Sequence, residues 1–147
     1  MDDRKLTLLE KFPAFIKIAL SEGKFCIPNN TLFEYASFEA YRCILRETDD
    51  NTPLNSTDMK SYAELGKEYR ATASSINKAK FYGISLYENK EDLDNKMSLP
   101  KPGKKVARGI VYQEGGPYLP KDPNKDSHIT WWLYEDVNFE SFRIIGE

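Results

Sequence analysis

The sequence predicts an α+β fold, with an N-terminal helical segment packed on a mostly antiparallel sheet of about five strands. Three observations carry that expectation. Apolar residues recur at spacings of three and four through Leu20. Beyond Gly23, short runs of β-branched and aromatic residues alternate with clusters of Gly, Pro, Asn and Asp, the punctuation of strands and turns. The helical pattern comes first and the strands follow, with only short helical stretches between them, as in segregated α+β chains. At 147 residues the chain reads as one domain, 1–147. Folding at this size hides roughly 68–70% of the unfolded surface, enough for a core without metals or disulfides.

Each element has its own warrant. Leu9, Phe12, Ile16 and Leu20 form a helical stripe that Leu8, Phe15 and Ala19 widen. Pro13 divides it, so either a kink or a second helix opening at Pro13 is expected, and Gly23 is the stop. Lys24 to Ile27 reads as a short extended piece ending at Pro28-Asn29-Asn30. Phe33 to Arg46 begins ambiguously, but Ala40 to Arg46 is a strand that stops at the polar run Thr48 to Asn55. Ser56-Thr57-Asp58 offers a helix cap, Ser61 and Glu64 a capping box, and Gly66 an end to that short helix. Residues 67–79 read as a polar loop.

Lys80 to Tyr87 follows as a strand with Tyr82, Ile84 and Leu86 on one face. Asn89 caps a helix that buries Leu93 and Met97, and Pro100-Lys101-Pro102-Gly103 breaks it off. Val106 to Gln113, His128 to Glu135 and Phe139 to Ile145 complete the strands, with a loop from Glu114 to Ser127. No internal repeat is visible.

Composition excludes several classes. A formal charge of −2 and a pI near 5.6 argue against a general nucleic-acid coat. Two cysteines, Cys26 and Cys43, are too few for a secreted disulfide scaffold. The acidic start is not followed by an apolar secretory segment, and no run approaches a membrane span. The expected setting is cytoplasmic, where the Asn-x-Ser/Thr triplets at Asn29 and Asn55 carry no meaning. Two isolated cysteines and one histidine do not make a common zinc site, and phosphate-loop and dinucleotide fingerprints are missing. Gly115-Gly116 reads as turn material.

The richest stretch is His128 to Glu135, which holds the only histidine and both tryptophans. Strand alternation sends His128, Thr130, Trp132 and Tyr134 to one face. His128 is a candidate general base by its natural titration range, or a half-exposed residue bonding the adjacent loop. One tryptophan is expected in the core, with the other either lining a contact groove or buried under a helix. Lys101, Lys104, Lys105 and Arg108, with Lys121 and Lys125, offer a meeting point for a phosphate or an acidic partner, although such runs are commonly solvated surface.

Arg42, Ser85 and Glu135 fall on three expected strands in chain order, and that order loosely resembles the Arg…Ser…Glu pattern of mono-ADP-ribosyltransferases. The resemblance implies NAD as cofactor, with Arg42 holding its phosphates, Ser85 positioning the nicotinamide side and Glu135 directing transfer. Ser85 lies in Tyr82-Gly83-Ile84-Ser85-Leu86-Tyr87 instead of the family's Ser-Thr-Ser context, and Leu133-Tyr134 precede Glu135 where the family has Glu-x-Glu.

A second reading asks less of the residues: a small macromolecule-binding protein of the inhibitor, immunity or phage and defence accessory kind. It would need no cofactor or metal and would use an aromatic surface of His128, Trp132, Tyr134, Tyr112 and Tyr118 against another protein. This binding role is the leading expectation, and the NAD-dependent transferase is its alternative.

Overall fold

Six antiparallel strands form one sheet in the order β4-β5-β2-β1-β3-β6. They are β1 (Phe38–Leu45), β2 (Ile84–Tyr87), β3 (Lys104–Val111), β4 (Tyr118–Leu119), β5 (His128–Trp131) and β6 (Arg143–Ile145). The helices are α1 (Asp3–Leu9), α2 (Ala14–Ser21), α3 (Ser75–Phe81) and α4 (Lys90–Met97). The structure, a computed structural model, describes residues 3–66 and 74–145. The α+β class is as the sequence predicts, with six strands in place of about five because Tyr118–Leu119 adds a strand inside the expected loop.

Alternation along the strands sorts side chains onto two faces. Ala40, Ile44, Leu86, Ala107, Ile129 and Trp131 turn to one face, where Met59 and Phe142 close over them. The approach is tight at Gly109, where any Cβ would stand 2.2 Å from the Phe142 ring. Tyr87 and Val106 turn to the other face and bury Leu93 of α4. Asn89 caps α4 as expected, its side chain accepting from the Glu91 N–H.

A third cluster lies beyond the sheet proper. Phe12, Ile16 and Ala19 of the N-terminal segment pack with Tyr82, Trp132 and Tyr134. Pro13 does open a second helix, since it is the N-cap of α2, and Gly23 follows its end at φ 71°.

Several local expectations are corrected. Residues 75–81, read as loop and strand, form α3, which Ser74 caps by accepting from the Asn77 N–H. The part of that loop at 67–73 lies outside the described residues. Tyr82 therefore leaves the Ile84 and Leu86 face and stacks on Phe25 at 4.4 Å. The Ser61–Glu64 capping box does form, but over a hydrogen-bonded turn. The helical turn before it is a short 3-10 helix, Ser56–Met59, capped by Asn55.

β5 stops at Trp131 instead of reaching Glu135 because the chain then bonds to the glycine loop. Trp132 N–H donates to Pro117 O and Tyr134 N–H to Gly115 O. Gly116, at φ 140°, would place a Cβ 1.9 Å from Trp132 O, so this close approach requires glycine. Cys26 is exposed, Cys43 is half-buried, and both are free. Among the described residues, no helix is long and apolar enough to cross a membrane.

Candidate functional site

Arg42, Ser85 and Glu135 do not converge. Tyr41 stands opposite Tyr87 in the β1–β2 pair, and counting along the two strands sets Cys43, not Arg42, opposite Ser85. Arg42 shares the face of Ala40 and Ile44, while Ser85 shares the face of Tyr87 and His128. The Arg42 guanidinium is also occupied, donating to the backbone oxygens of Asp58, Ser85 and Lys60 at 2.9, 2.9 and 3.3 Å. Burial lowers its pKa, with nearby acidic groups opposing. Glu135 is exposed and lines a separate cleft of about 220 Å³ beside Phe15, Ile16, Tyr82 and Ile84. With Arg42 and Ser85 on opposed faces, this geometry gives the three side chains no common cradle.

His128 and Ser85 form a pair that the sequence did not suggest. His128 Nε2 lies 3.0 Å from Ser85 Oγ, and the imidazole ring meets Tyr87 edge-on at 5.2 Å. Burial, reinforced by Lys80 and Lys96 and opposed by Asp126, pulls the His128 pKa down from 6.5 to about 4. The ring is therefore neutral near pH 7. Among the described residues no carboxylate hydrogen-bonds to it, so nothing orients the imidazole as in a nucleophile–base–acid triad. The pair is a cross-strand tie between β2 and β5.

That tie has a pH signature. Below pH 6.5 an unfolded histidine takes up a proton that the folded state refuses until about pH 4. The stability contributed by the neutral ring is complete above pH 6.5 and is lost as pH falls toward 4, by about 2–3 kcal/mol. Urea unfolding at both pH values should show the wild type losing that much more than His128→Gln. Equal losses in the two proteins would show that the ring is not held neutral.

The expected aromatic contact surface is largely internal. Trp132 is 0% exposed and Tyr134 3%, because both residues pack against the N-terminal helical segment. Burial pushes the Tyr134 hydroxyl up to about 12. Tyr112 and Tyr118 are half-buried. Tyr112 sets its ring edge against Trp131, and its hydroxyl accepts from the Asn138 N–H at 2.8 Å. Tyr118 packs edge-on against Tyr35 at 4.6 Å. These rings build the core and leave a partner little to grip.

The larger cleft, of about 600 Å³, opens where β3 begins and β6 ends. Leu99, Pro100, Val106, Ile144 and Ile145 give it apolar walls, and Lys90, Lys104, Lys105, Asp94, Thr48 and Asn51 supply its polar groups. Strand alternation places Lys104 and Lys105 on opposite faces at the corner of the sheet, so the cleft wraps around that corner. Lys105 Nζ donates to Asn51 Oδ1 at 2.8 Å and to Asp50 O at 3.0 Å, both neutral oxygens, while the Asp50 carboxylate is near enough to feel its charge. Lys90 pairs with Asp94 at 2.7 Å. With three lysines against one aspartate, the lining carries an excess of positive charge.

Of the basic group read from the sequence, only Lys104 and Lys105 reach this cleft. Lys101, Lys121 and Lys125 are exposed elsewhere, and Arg108 pairs with Glu39 at 3.4 Å. Lys90, Asp94, Thr48 and Asn51 were missed, because helix and loop residues join strand residues here only through the tertiary fold. No known family model, curated protein or solved structure matches the chain.

Proposed function

We propose that this chain is a binding protein that engages another protein through an acidic group seated in the lysine-lined cleft. The observation that carries the reading is the joining of Lys90, Lys104 and Lys105 with an apolar floor in one cleft of about 600 Å³. Ammonium groups favour carboxylates, while the floor rewards an apolar side chain beside the charge. A bare phosphate backbone would leave that floor unfilled, and the net charge of −2 disfavours long nucleic acids. A reducing, cytoplasmic setting suits the two free thiols. Arg42 and Arg46, whose guanidinium groups would suit phosphate chemistry, are engaged internally, which favours binding over catalysis.

Fluorescence anisotropy with a labelled glutamate-rich peptide tests the proposal, with a lysine-rich peptide as control. Binding should be confined to the acidic peptide and should weaken with salt. Lys104→Glu should weaken it at least tenfold, about 1.4 kcal/mol, while Lys121→Glu, outside the cleft, should leave it unchanged. Equal binding by Lys104→Glu and the wild type would remove the cleft from the interface.

A further inference from the structure

We infer that the cleft takes an extended acidic segment of the partner, which joins the sheet as a further strand beside β6. The inference rests on the binding reading above and specifies the form of the ligand. It starts from the difference between the two edges of the sheet. At the β4 edge, Leu32 closes the ladder: its N–H donates to Tyr118 O at 2.9 Å, and Tyr118 N–H donates back at 3.1 Å. At the other edge, β6 pairs with β3, and no described strand lies on its outer side.

Successive residues of a strand point their N–H and C=O groups to opposite sides, so at least one of the three β6 residues turns its amide groups outward. An unpaired edge of this kind is a template for strand addition. The cleft adjoins that edge. Ile144 and Ile145 of β6 are half-buried and line it, and Lys90 and Asp94 of α4 form another wall. A guest strand alternates its side chains between two faces. By strand alternation one set would face the side of the sheet that carries Lys104, Val106 and Ile145, and the other the side that carries Lys105 and Ile144. Each side thus offers one ammonium group beside apolar residues, and the matching ligand carries acidic and apolar residues on both of its faces.

The probe is a synthetic peptide repeating Glu-Glu-Val-Val, which puts both residue types on each face of an extended strand, set against a strictly alternating valine and glutamate peptide of equal composition, which puts all its glutamates on one face. Two further versions carry backbone N-methyl groups on one or the other alternate set of residues. The Glu-Glu-Val-Val peptide should bind at least tenfold more tightly than the strictly alternating one. Only one N-methylated version should lose binding, the one blocked on its β6-facing edge. Hydrogen exchange of the full chain should show new amide protection within 143–145. If both N-methylated versions bind like the parent, strand addition falls while the charge-based reading stands. If no glutamate-containing peptide binds, both fall.

Discussion

Arg46→Ala is expected to destabilise the protein by about 3–5 kcal/mol, the usual cost of removing one partner from a buried ion pair. Arg46 is only 8% exposed. Its Nε and Nη2 donate to the two Asp58 carboxylate oxygens at 3.2 and 2.6 Å. Nη1 donates to Thr52 O and Thr52 Oγ1, and Nη2 also reaches Pro53 O. Alanine would leave Asp58, whose side chain is 8% exposed, a buried carboxylate with only the Asn55 N–H and the charge of Arg42 to offset its burial. It would also release the segment from Asp50 to Pro53. Arg46→Lys should recover only part of the loss, because a single ammonium cannot reproduce the two-pronged contact.

Acid should erase much of this difference. Burial pushes the Asp58 carboxyl up, but hydrogen bonds from Arg46 and the Asn55 N–H, with the charges of Arg46 and Arg42, outweigh it and hold the pKa below the ordinary value. The stability from the pair is thus present above the unfolded carboxylate pKa and lost as pH falls through the folded one. Urea midpoints at neutral and acid pH measure this, and a gap between wild type and Arg46→Ala that stays constant would contradict it. The consequence reaches the cleft, because the segment fixed by Arg46 carries Asn51, which holds Lys105.

What was legible in the sequence was local. β1 and β3 declare themselves by continuous strand-forming runs, and Asn89 caps α4 within two residues of its own position. What was not legible depends on distant partners. Ser75–Phe81 has a weak apolar stripe, and it is helical where Ala79, 0% exposed, packs against Trp132. Tyr118–Leu119 is a strand because Leu32 and β5 lie on either side of it.

The same distinction governs the site. Arg42, Ser85 and Glu135 had plausible chemistry, but only the β1–β2 register determines that Arg42 and Ser85 face opposite ways. Lys104 and Lys105 were visible as a charge run. Their value as a site comes from Lys90, Asn51 and Ile145, which sequence spacing does not bring together.

Trp132→Ala should cost about 3–5 kcal/mol, the range for deleting a buried large aromatic side chain, and lower Tm by on the order of 10 °C. A contact residue on the surface would instead lose binding with little change in stability. Trp132 is 0% exposed and shares a cluster with Phe12, Ile16 and Tyr82, so its removal opens a cavity beneath α2. Its indole N–H donates to Ala79 O at 2.9 Å, tying the segment after β5 to α3. Ala79 O also accepts the Tyr82 N–H at 3.2 Å, so losing the indole does not leave it without a partner. Trp132→Phe should consequently be milder, keeping most of the apolar contact and giving up a hydrogen bond worth about 1 kcal/mol. Thermal unfolding of the two variants separates cavity from hydrogen bond. If Trp132→Ala melted with the wild type, Trp132 could not be the link between the N-terminal segment, α3 and the sheet.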